Sequence, residues 1–252
     1  MPVPMIEMME HVPLWLVGLI VMIVAEVYGV GLMLSTRAIY GVSRLAENNE
    51  VAGFKFAVVG VFYAVLRAFV VIAVWEEYRG TEAAVRNEAK AVVDLHHVTF
   101  AFPVESGTVI RERLVTYADH VRKFEWPAMA RGKSSDHVGD DLEELSTAVF
   151  QIEPQNLKEL AHYQNAVRLL TLIADNRGER IDSANGSVSL LLWFVLIVGY
   201  PAFFGASNRL AQTLMTATLA ALVALSLLLA LALDYPFTRD EKISVLPFEA
   251  AL

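Results

Sequence analysis

Residues 210–233 read LAQTLMTATLAALVALSLLLALAL and contain no charged side chain. At about 1.5 Å rise per residue, a helix of this length crosses the roughly 30 Å hydrocarbon core of a lipid bilayer. The stretch is apolar on every side, which is typical of a membrane span and not of a soluble amphipathic helix. Asp234 and Pro236 follow directly and predict where the helix ends. The chain is therefore predicted to be an integral membrane protein.

Three further stretches have a similar length and composition, at about residues 14–34, 54–75 and 187–206. The mean hydropathy of +0.47 is high for a soluble protein. Residues 1–13 contain Glu7 and Glu10 but no Lys or Arg, so we expect a retained first helix and not a secretory signal peptide. Pro201 predicts a kink or an early end in the third span. We predict an all-α integral membrane protein with four transmembrane helices.

The segment between the second and third spans reads like ordinary soluble sequence with helical periodicity. Three domains are predicted: an N-terminal transmembrane hairpin over residues 1–75, a soluble helical domain over 76–186, and a C-terminal transmembrane hairpin with a short tail over 187–252. The second span is expected to continue into the soluble domain as one helix. Four spans put both termini and the soluble domain on the same side of the membrane.

Apolar residues recur at helical spacing through the soluble domain. Pro103 and Gly107 are expected to break its first helix, Pro127 to end the second, and Asp140 to open the third after a polar loop. The inward faces predicted for the second, third and fourth helices are Ile110, Leu114, Tyr117, Val121 and Phe124; Leu142, Leu145 and Val149; and Leu157, Leu160, Val167, Leu170 and Ala174. The fourth helix is expected to end near Gly186.

The distribution of Lys and Arg near the membrane ends predicts the orientation. Seven lie on the side of the soluble domain and four on the other side. The seven are Arg79, Arg86, Lys90, Arg177, Arg180, Arg239 and Lys242, and the four are Arg37, Arg44, Lys55 and Arg209. Because cytoplasmic loops carry the excess of basic residues, we expect the soluble domain and both termini in the cytoplasm.

Two ionisable residues lie near the middle of spans, Glu26 in the first and Arg67 in the second. A charged group at that depth costs about 2.5–3.5 kcal/mol on insertion scales, so it faces a bundle interior or a watery path. In an antiparallel pair of spans the two positions are offset by about four residues, or roughly 6 Å. A structural ion pair that locks two helices and the polar lining of an ion pathway are both consistent with this pattern.

Other polar and small residues mark the second span and the cytoplasmic ends. Gly60, Ala64 and Ala68 form a small-residue seam that lets helices approach closely, within one subunit or between subunits. Tyr63 lies beside Arg67. The carboxylates of Glu76, Glu77 and Asp234 are expected at the cytoplasmic ends of two spans. Repeated by symmetry, such carboxylates form a ring that favours cations, whereas a single copy is ordinary interfacial charge.

Several classes of function lack their sequence signature. The chain has no cysteine, which excludes thiolate catalysis and Cys-based zinc sites. No metalloprotease His spacing, nucleophile elbow, phosphate-binding loop or dinucleotide fingerprint occurs. The net charge of -8 argues against a nucleic-acid partner. We therefore expect neither an enzyme nor a cofactor or metal site.

Several short runs resemble the bestrophin-like bacterial membrane proteins, with a more distant similarity to the bestrophin channels. The runs are residues 49–53, 58–65, 74–76, 88–89, 117, 125–127, 177 with 180, 233–234 and 236–237. Residues 60–63 and 75–78 look similar to runs in the second span of bestrophins, although no Ile-Pro-Phe element follows here. The resemblance implies a homo-oligomeric ion channel with the second span near the axis and a helical cytosolic vestibule.

We interpret the chain as a homo-oligomeric ion channel, with a pore lined by the second span. Residues 77–186 contain 18 acidic and 13 basic side chains, a net charge of -5, which favours cations. The expected pathway residues are Glu26, Tyr63, Arg67, Glu76, Glu77 and Asp234. Its partners are then the lipid bilayer, further copies of itself and a permeant inorganic ion. The alternative is a membrane-anchored interaction or sensor protein with no conduction.

Overall fold

A computed structural model describes residues 13–47, 49–186, 206–238 and 243–250, and these contain helices and no strand. The helices are α1 Leu14–Tyr40, α2 Val42–Glu47, α3 Asn49–Val98, α4 Val104–His120, α5 Trp126–Met129, α6 Asp136–Phe150, α7 Leu157–Asp182, α8 Arg209–Asp234 and α9 Leu246–Glu249. A π-helical turn, Val121–Glu125, joins α4 to α5, and 3₁₀ turns follow α3 and α7 at Thr99–Ala101 and Ser183–Asn185. The fold is all-α wherever the structure describes it.

The chain divides into two compact units. We call residues 12–76 with 187–234 the membrane unit, and residues 1–11, 77–186 and 235–252 the bundle unit. Within the described residues, three helices are long and apolar enough to cross a membrane: Trp15–Tyr40, Asn49–Ala101 and Arg209–Asp234. The predicted third span lies outside the described residues, apart from its last residue.

In the membrane unit, α1 and α8 pack closely through small residues. A Cβ atom built on Gly18 would lie 2.6 Å from Leu228 Cδ2, and one built on Gly29 would lie 3.4 Å from Ala220 Cβ. The two contacts run in opposite directions along the chain, so the helices are antiparallel. The face of α8 that is buried repeats every four residues, at Gln212, Thr216, Ala220 and Ala224. Small side chains allow this approach because glycine leaves room for the facing side chain.

The bundle unit has one apolar core, built from the second half of α3, from α4, α6 and α7, and from the segment after α8. The predicted inward positions Ile110, Leu114, Tyr117 and Val121 are all buried. The prediction for Phe124 is wrong, since its side chain is exposed and Glu125 is buried instead. The π-helical turn inserts an extra residue into the helix, which rotates position 125 inward.

Three helix boundaries differ from the predictions. Pro127 does not end its helix, because α5 follows the π-helical turn without a gap and continues to Met129. Gly107 lies inside α4, where a Cβ atom would meet the Thr99 carbonyl oxygen at 2.7 Å. Glycine is therefore required there for close packing and does not break the helix. α6 begins at Asp136, four residues before the predicted start.

The predicted inward face of α7 is also largely wrong. Leu157, Leu160 and Ala174 are exposed and Val167 is half-buried, whereas Leu170 is buried as expected. The residues that α7 buries are Ala166, Leu169, Leu170, Ile173, Asn176 and Arg180. The buried face thus includes a small residue and two polar ones. A prediction from apolar spacing alone therefore assigned the buried face to the wrong side of the helix.

Candidate functional site

Arg67 lies in the part of α3 that belongs to the membrane unit, and its side chain reaches toward α8. Its Nη2 donates a hydrogen bond to the Val223 carbonyl oxygen at 2.9 Å. The same oxygen accepts a hydrogen bond from Ser226 Oγ at 2.8 Å. The guanidinium carbon lies 5.3 Å from the centroid of the Tyr63 ring, a cation–π distance. The structure therefore brings Tyr63 and Arg67 together, as the sequence indicated.

An ion pair between Glu26 and Arg67, one of the two interpretations that the sequence left open, is not formed within the described chain. No salt bridge joins the two side chains, and both are half-buried in the membrane unit. Arg67 instead uses a backbone carbonyl of α8. The prediction assumed that the first and second spans face each other directly, whereas the closest packing of α1 is against α8.

The three carboxylates expected at the cytoplasmic ends lie in different surroundings. Glu76 is exposed and comes nine residues after Arg67, which puts it about 180° away around α3 at roughly 100° per residue. Glu77 is exposed, and its Oε1 accepts a hydrogen bond from Ser183 Oγ at 2.9 Å. Asp234 is buried at the end of α8. Within the membrane unit, Glu76 thus lies on the side of α3 opposite to Arg67.

The small-residue seam of α3 is open in the described part of the chain. A Cβ atom built on Gly60 would meet nothing within 4 Å, and Ala64 and Ala68 are both exposed. Close packing of small residues is observed between α1 and α8. The seam on α3 stays a prediction for contacts beyond the described part of one chain.

The bundle unit contains a buried ionic cluster that the sequence analysis did not nominate as a site. Arg180 binds Glu88 with Nε to Oε2 at 2.7 Å and Nη2 to Oε1 at 2.9 Å. Arg180 Nη2 also donates to Glu125 Oε2 at 2.7 Å. The Arg177 Nη2 atom lies 2.5 Å from Glu125 Oε1. Two carboxylates and two guanidinium groups therefore meet with no net charge, which is the condition for burying ions.

The charge states in this cluster follow from its contacts. Burial by itself disfavours a charged guanidinium, but the carboxylates of Glu88 and Glu125 raise the pKa of Arg180 above its ordinary value. Tyr117 Oη donates to Glu88 Oε1 at 2.7 Å. Burial, and after it the negative charge of Glu88, raise the pKa of Tyr117 well above 10.0. Tyr117 therefore stays a neutral hydrogen-bond donor.

Aromatic side chains enclose Arg180 and connect the cluster to the C-terminal segment. The guanidinium carbon lies 5.5 Å from the Trp126 ring and 5.8 Å from the Phe248 ring. Trp126 also packs edge-to-face against Phe237 at 5.4 Å. Nη1 of Arg180 lies 3.0 Å from the sulfur of Met129. The segment that follows α8 is thus part of the core of the bundle unit.

Several of the runs that carried the family resemblance meet in this cluster, namely residues 88–89, 117, 125–127 and 177 with 180. Glu88, Tyr117, Glu125 and Arg180 come from three separate helices and a π-helical turn, yet all four are buried together. The sequence did contain a signal for this buried cluster. Glu88 follows Val85 by three residues and precedes Val92 by four, so a carboxylate occupies a position of the apolar stripe. A charged residue inside a core stripe predicts a buried partner of opposite charge.

The sequence matches the bestrophin-like domain over residues 22–248. The chain belongs to the bestrophin-like family. Its fold is similar to the crystal structure of a membrane protein, with a TM-score of 0.66 and 14% identity over 91% of this chain and 95% of that one. It is also similar to the crystal structure of a bacterial bestrophin homologue from Klebsiella pneumoniae, with a TM-score of 0.63 and 14% identity over 91% and 96% of the two chains. No curated protein sequence matches the chain.

Within this bestrophin-like chain, the described residues offer no group of three or more His, Asp or Glu side chains that could hold a metal ion. The polar features of the membrane unit include the Arg67–Tyr63 pair, the half-buried Glu26 and, near the end of α1, Arg37, whose Nη1 donates to the Ala206 carbonyl oxygen and to Gln212 Oε1, both at 2.7 Å. The ionic cluster of the bundle unit has no net charge, and its hydrogen bonds are completed by Tyr117, the Met129 sulfur and the Ser135 carbonyl oxygen.

Proposed function

We propose that this bestrophin-like chain forms a homo-oligomeric ion channel whose pore is lined by the open face of α3. The observation that carries the proposal is the exposure of that face. Phe62, Val65, Phe69 and Ile72 are all exposed and lie within about 40° of the direction opposite to Arg67. Glu76 follows on the same side of the helix, also exposed. The face thus pairs an apolar stretch with a carboxylate at its end.

The part of α3 that lies in the membrane unit has surface open for contacts with further copies of the chain. Val70 and Val74 are buried against Ala230 of α8, so the contact with α8 occupies only one side of the helix. In the seam of Gly60, Ala64 and Ala68, a Cβ atom on Gly60 would meet nothing within 4 Å and both alanines are exposed, so the seam would let another helix approach closely. A central pore requires a closed ring of identical subunits, each presenting the same face to the axis.

The position of the charges favours cations. Arg67 is directed at the Val223 carbonyl on the side of α3 that faces α8, away from the open face. Glu76 lies on the open face at the end of the apolar stretch. A ring of such carboxylates concentrates cations at a pore mouth, whereas a cation-repelling charge such as Arg67 is held outside it. We therefore propose a cation preference set by Glu76.

The remaining parts of the proposal concern location and topology. We propose four spans, with the third over about residues 187–206, in a bacterial inner membrane. The excess of Lys and Arg beside the bundle unit supports a cytoplasmic location for it and for both termini. We propose no catalytic activity. The permeant species would be an inorganic ion, and the other partners are the surrounding lipid and further copies of the chain.

The proposal is tested by measuring oligomer size and ion flux on the same preparation. Light scattering of the purified protein in detergent should give a ring of three or more copies. Liposomes that contain the protein should release trapped potassium, and Glu76→Gln should lower the ratio of potassium to chloride flux. Glu105→Gln, at an exposed position near the start of α4, is the matched control and should leave the ratio unchanged. A monomer or dimer without flux would favour the membrane-anchored interaction protein instead.

A further inference from the structure

The charge of Arg67 has no carboxylate partner among the described residues. Its Nη2 donates to the Val223 carbonyl, which is neutral. The four spans, as placed by the sequence, contain a single carboxylate, Glu26. Glu26 also forms no salt bridge with any described residue. Glu26 and Arg67 therefore bring a negative and a positive side chain to the middle of their spans, and the two are not joined within the described chain.

Glu26 and Arg67 lie at similar heights along α8, as the residues of α8 that each one lies beside indicate. Gly18 of α1 packs against Leu228, and Gly29 packs against Ala220. Glu26 lies between these two contacts, so its backbone comes level with α8 within about one turn, or roughly 5 Å, of Val223. Arg67 is bonded to the carbonyl of Val223 itself. A long Arg side chain and a Glu side chain together can cover the difference in height.

Equal depth has a consequence in a ring of subunits. Rotation about an axis along the membrane normal moves a residue sideways and leaves its depth unchanged, so residues that meet between subunits must lie at matching heights. Glu26 and Arg67 satisfy that condition, and their charges are complementary. α1 and α3 are different helices, which suits a heterologous contact in which one surface of each subunit meets another surface of the next.

We propose that Glu26 of one subunit pairs with Arg67 of the neighbouring subunit inside the membrane. This inference rests on the homo-oligomer proposed above and names the surface that joins its copies. The Val223 carbonyl and the Tyr63 ring hold the Arg67 guanidinium in place within its own subunit. Its other N–H groups have no hydrogen bond to a described residue. The carboxylate of a second copy would neutralise the charge where lipid cannot.

The chain contains no cysteine, which makes the contact directly testable by cross-linking. Two differently tagged copies are co-expressed, one carrying Glu26→Cys and the other Arg67→Cys. An Arg–Glu pair separates its Cα atoms by more than the roughly 4.4–6.8 Å that a disulfide spans, so a membrane-permeant bifunctional thiol reagent is used. The expected result is a covalent dimer that carries both tags.

The control replaces Arg67→Cys with Phe69→Cys, two residues along on the opposite side of α3. It should give at most a tenth of the dimer. A second measurement follows the fraction of particles that are oligomeric in detergent. Glu26→Arg alone and Arg67→Glu alone should each lower that fraction severalfold, and the double exchange should restore it. Equal cross-linking at positions 67 and 69, or no rescue by the double exchange, would overturn the pairing although the oligomer persists. A wild-type protein that is monomeric would overturn the proposed channel as well.

Discussion

Arg180 holds Glu88 with two hydrogen bonds of 2.7 and 2.9 Å, and neither side chain is exposed to solvent. The two residues are 92 positions apart in the chain. Glu88 belongs to α3, the helix that begins in the membrane unit, and Arg180 lies in the last turn of α7. A buried pair of this kind fixes the register of one helix against the other, because any slip would leave both charges without a partner.

Removing Arg180 should therefore destabilise the bundle unit strongly. Arg180→Ala leaves the carboxylates of Glu88 and Glu125 buried with less compensation, and breaking a buried pair in this way costs about 3–5 kcal/mol. Hydrogen exchange of the buried α3 amides around Val92 and Leu95, in the full chain in detergent, measures the loss. Arg86→Ala breaks an exposed ion pair with Glu82 on the same helix and should cost at most about 1 kcal/mol. Equal effects of the two substitutions would contradict the assignment of the cluster.

The free energy of unfolding of the bundle unit should depend on pH through Tyr117. Its pKa in the folded state is raised by burial and by Glu88, whereas in the unfolded chain it is close to 10.0. The contribution of the neutral Tyr117 hydroxyl to the stability of the folded state is therefore fully present below pH 10.0, and it is lost as the pH rises from there through the folded-state pKa. In an alkaline titration followed by tyrosinate absorbance, the folded protein and its Tyr117→Phe variant should give the same curve. Their curves in denaturant should differ by one tyrosine.

A difference between the two folded curves near pH 10 would mean that Tyr117 ionises in the native state. That result would contradict a neutral hydroxyl held against Glu88. The comparison in denaturant is the internal control, because it shows that the assay detects a single tyrosine.

Hydropathy and composition predicted the span that became α8 to within one residue at each end, because burial in lipid depends only on a long apolar run. The core face of α4, continuing to the adjoining Val121, was predicted from apolar residues that recur at helical spacing. After Val121, the π-helical turn places Glu125 inside the core and Phe124 outside it. This placement depends on Arg177 and Arg180, the partners of Glu125 on a distant helix. Such a change has no local sequence cause.

The candidate site was predicted only in its parts. Glu26 and Arg67 were recognised as costly in a membrane, but which helix each one contacts depends on the packing of α1 on α8. That packing is decided by the absence of side chains at Gly18 and Gly29, which apolar periodicity does not detect. The residues of the buried cluster lie in short runs that are far apart in the sequence, and only the fold brings them together.

Two glycines of the bundle unit should respond to alanine with opposite signs. Gly107→Ala places a Cβ atom 2.7 Å from a backbone oxygen that cannot move freely, so we expect a loss of about 1–3 kcal/mol. Gly178 is exposed within α7, and its added Cβ would meet nothing within 4 Å. Gly178→Ala should therefore stabilise the helix by about 0.5–1 kcal/mol. Thermal unfolding of the two variants beside the wild type tests the pair, and a shift of both in one direction would contradict the close contact at Gly107.

Recording from single channels in a planar bilayer with asymmetric salt tests the central claim most directly. The account predicts discrete current steps with a reversal potential displaced toward that of the cation, because Glu76 lies on the open face of α3. Glu76→Gln should move the reversal potential toward that of the anion, whereas an unchanged value would remove Glu76 from the pathway. Bilayers that contain the inserted oligomer yet show no current steps at either polarity would contradict the assignment of the chain as an ion channel.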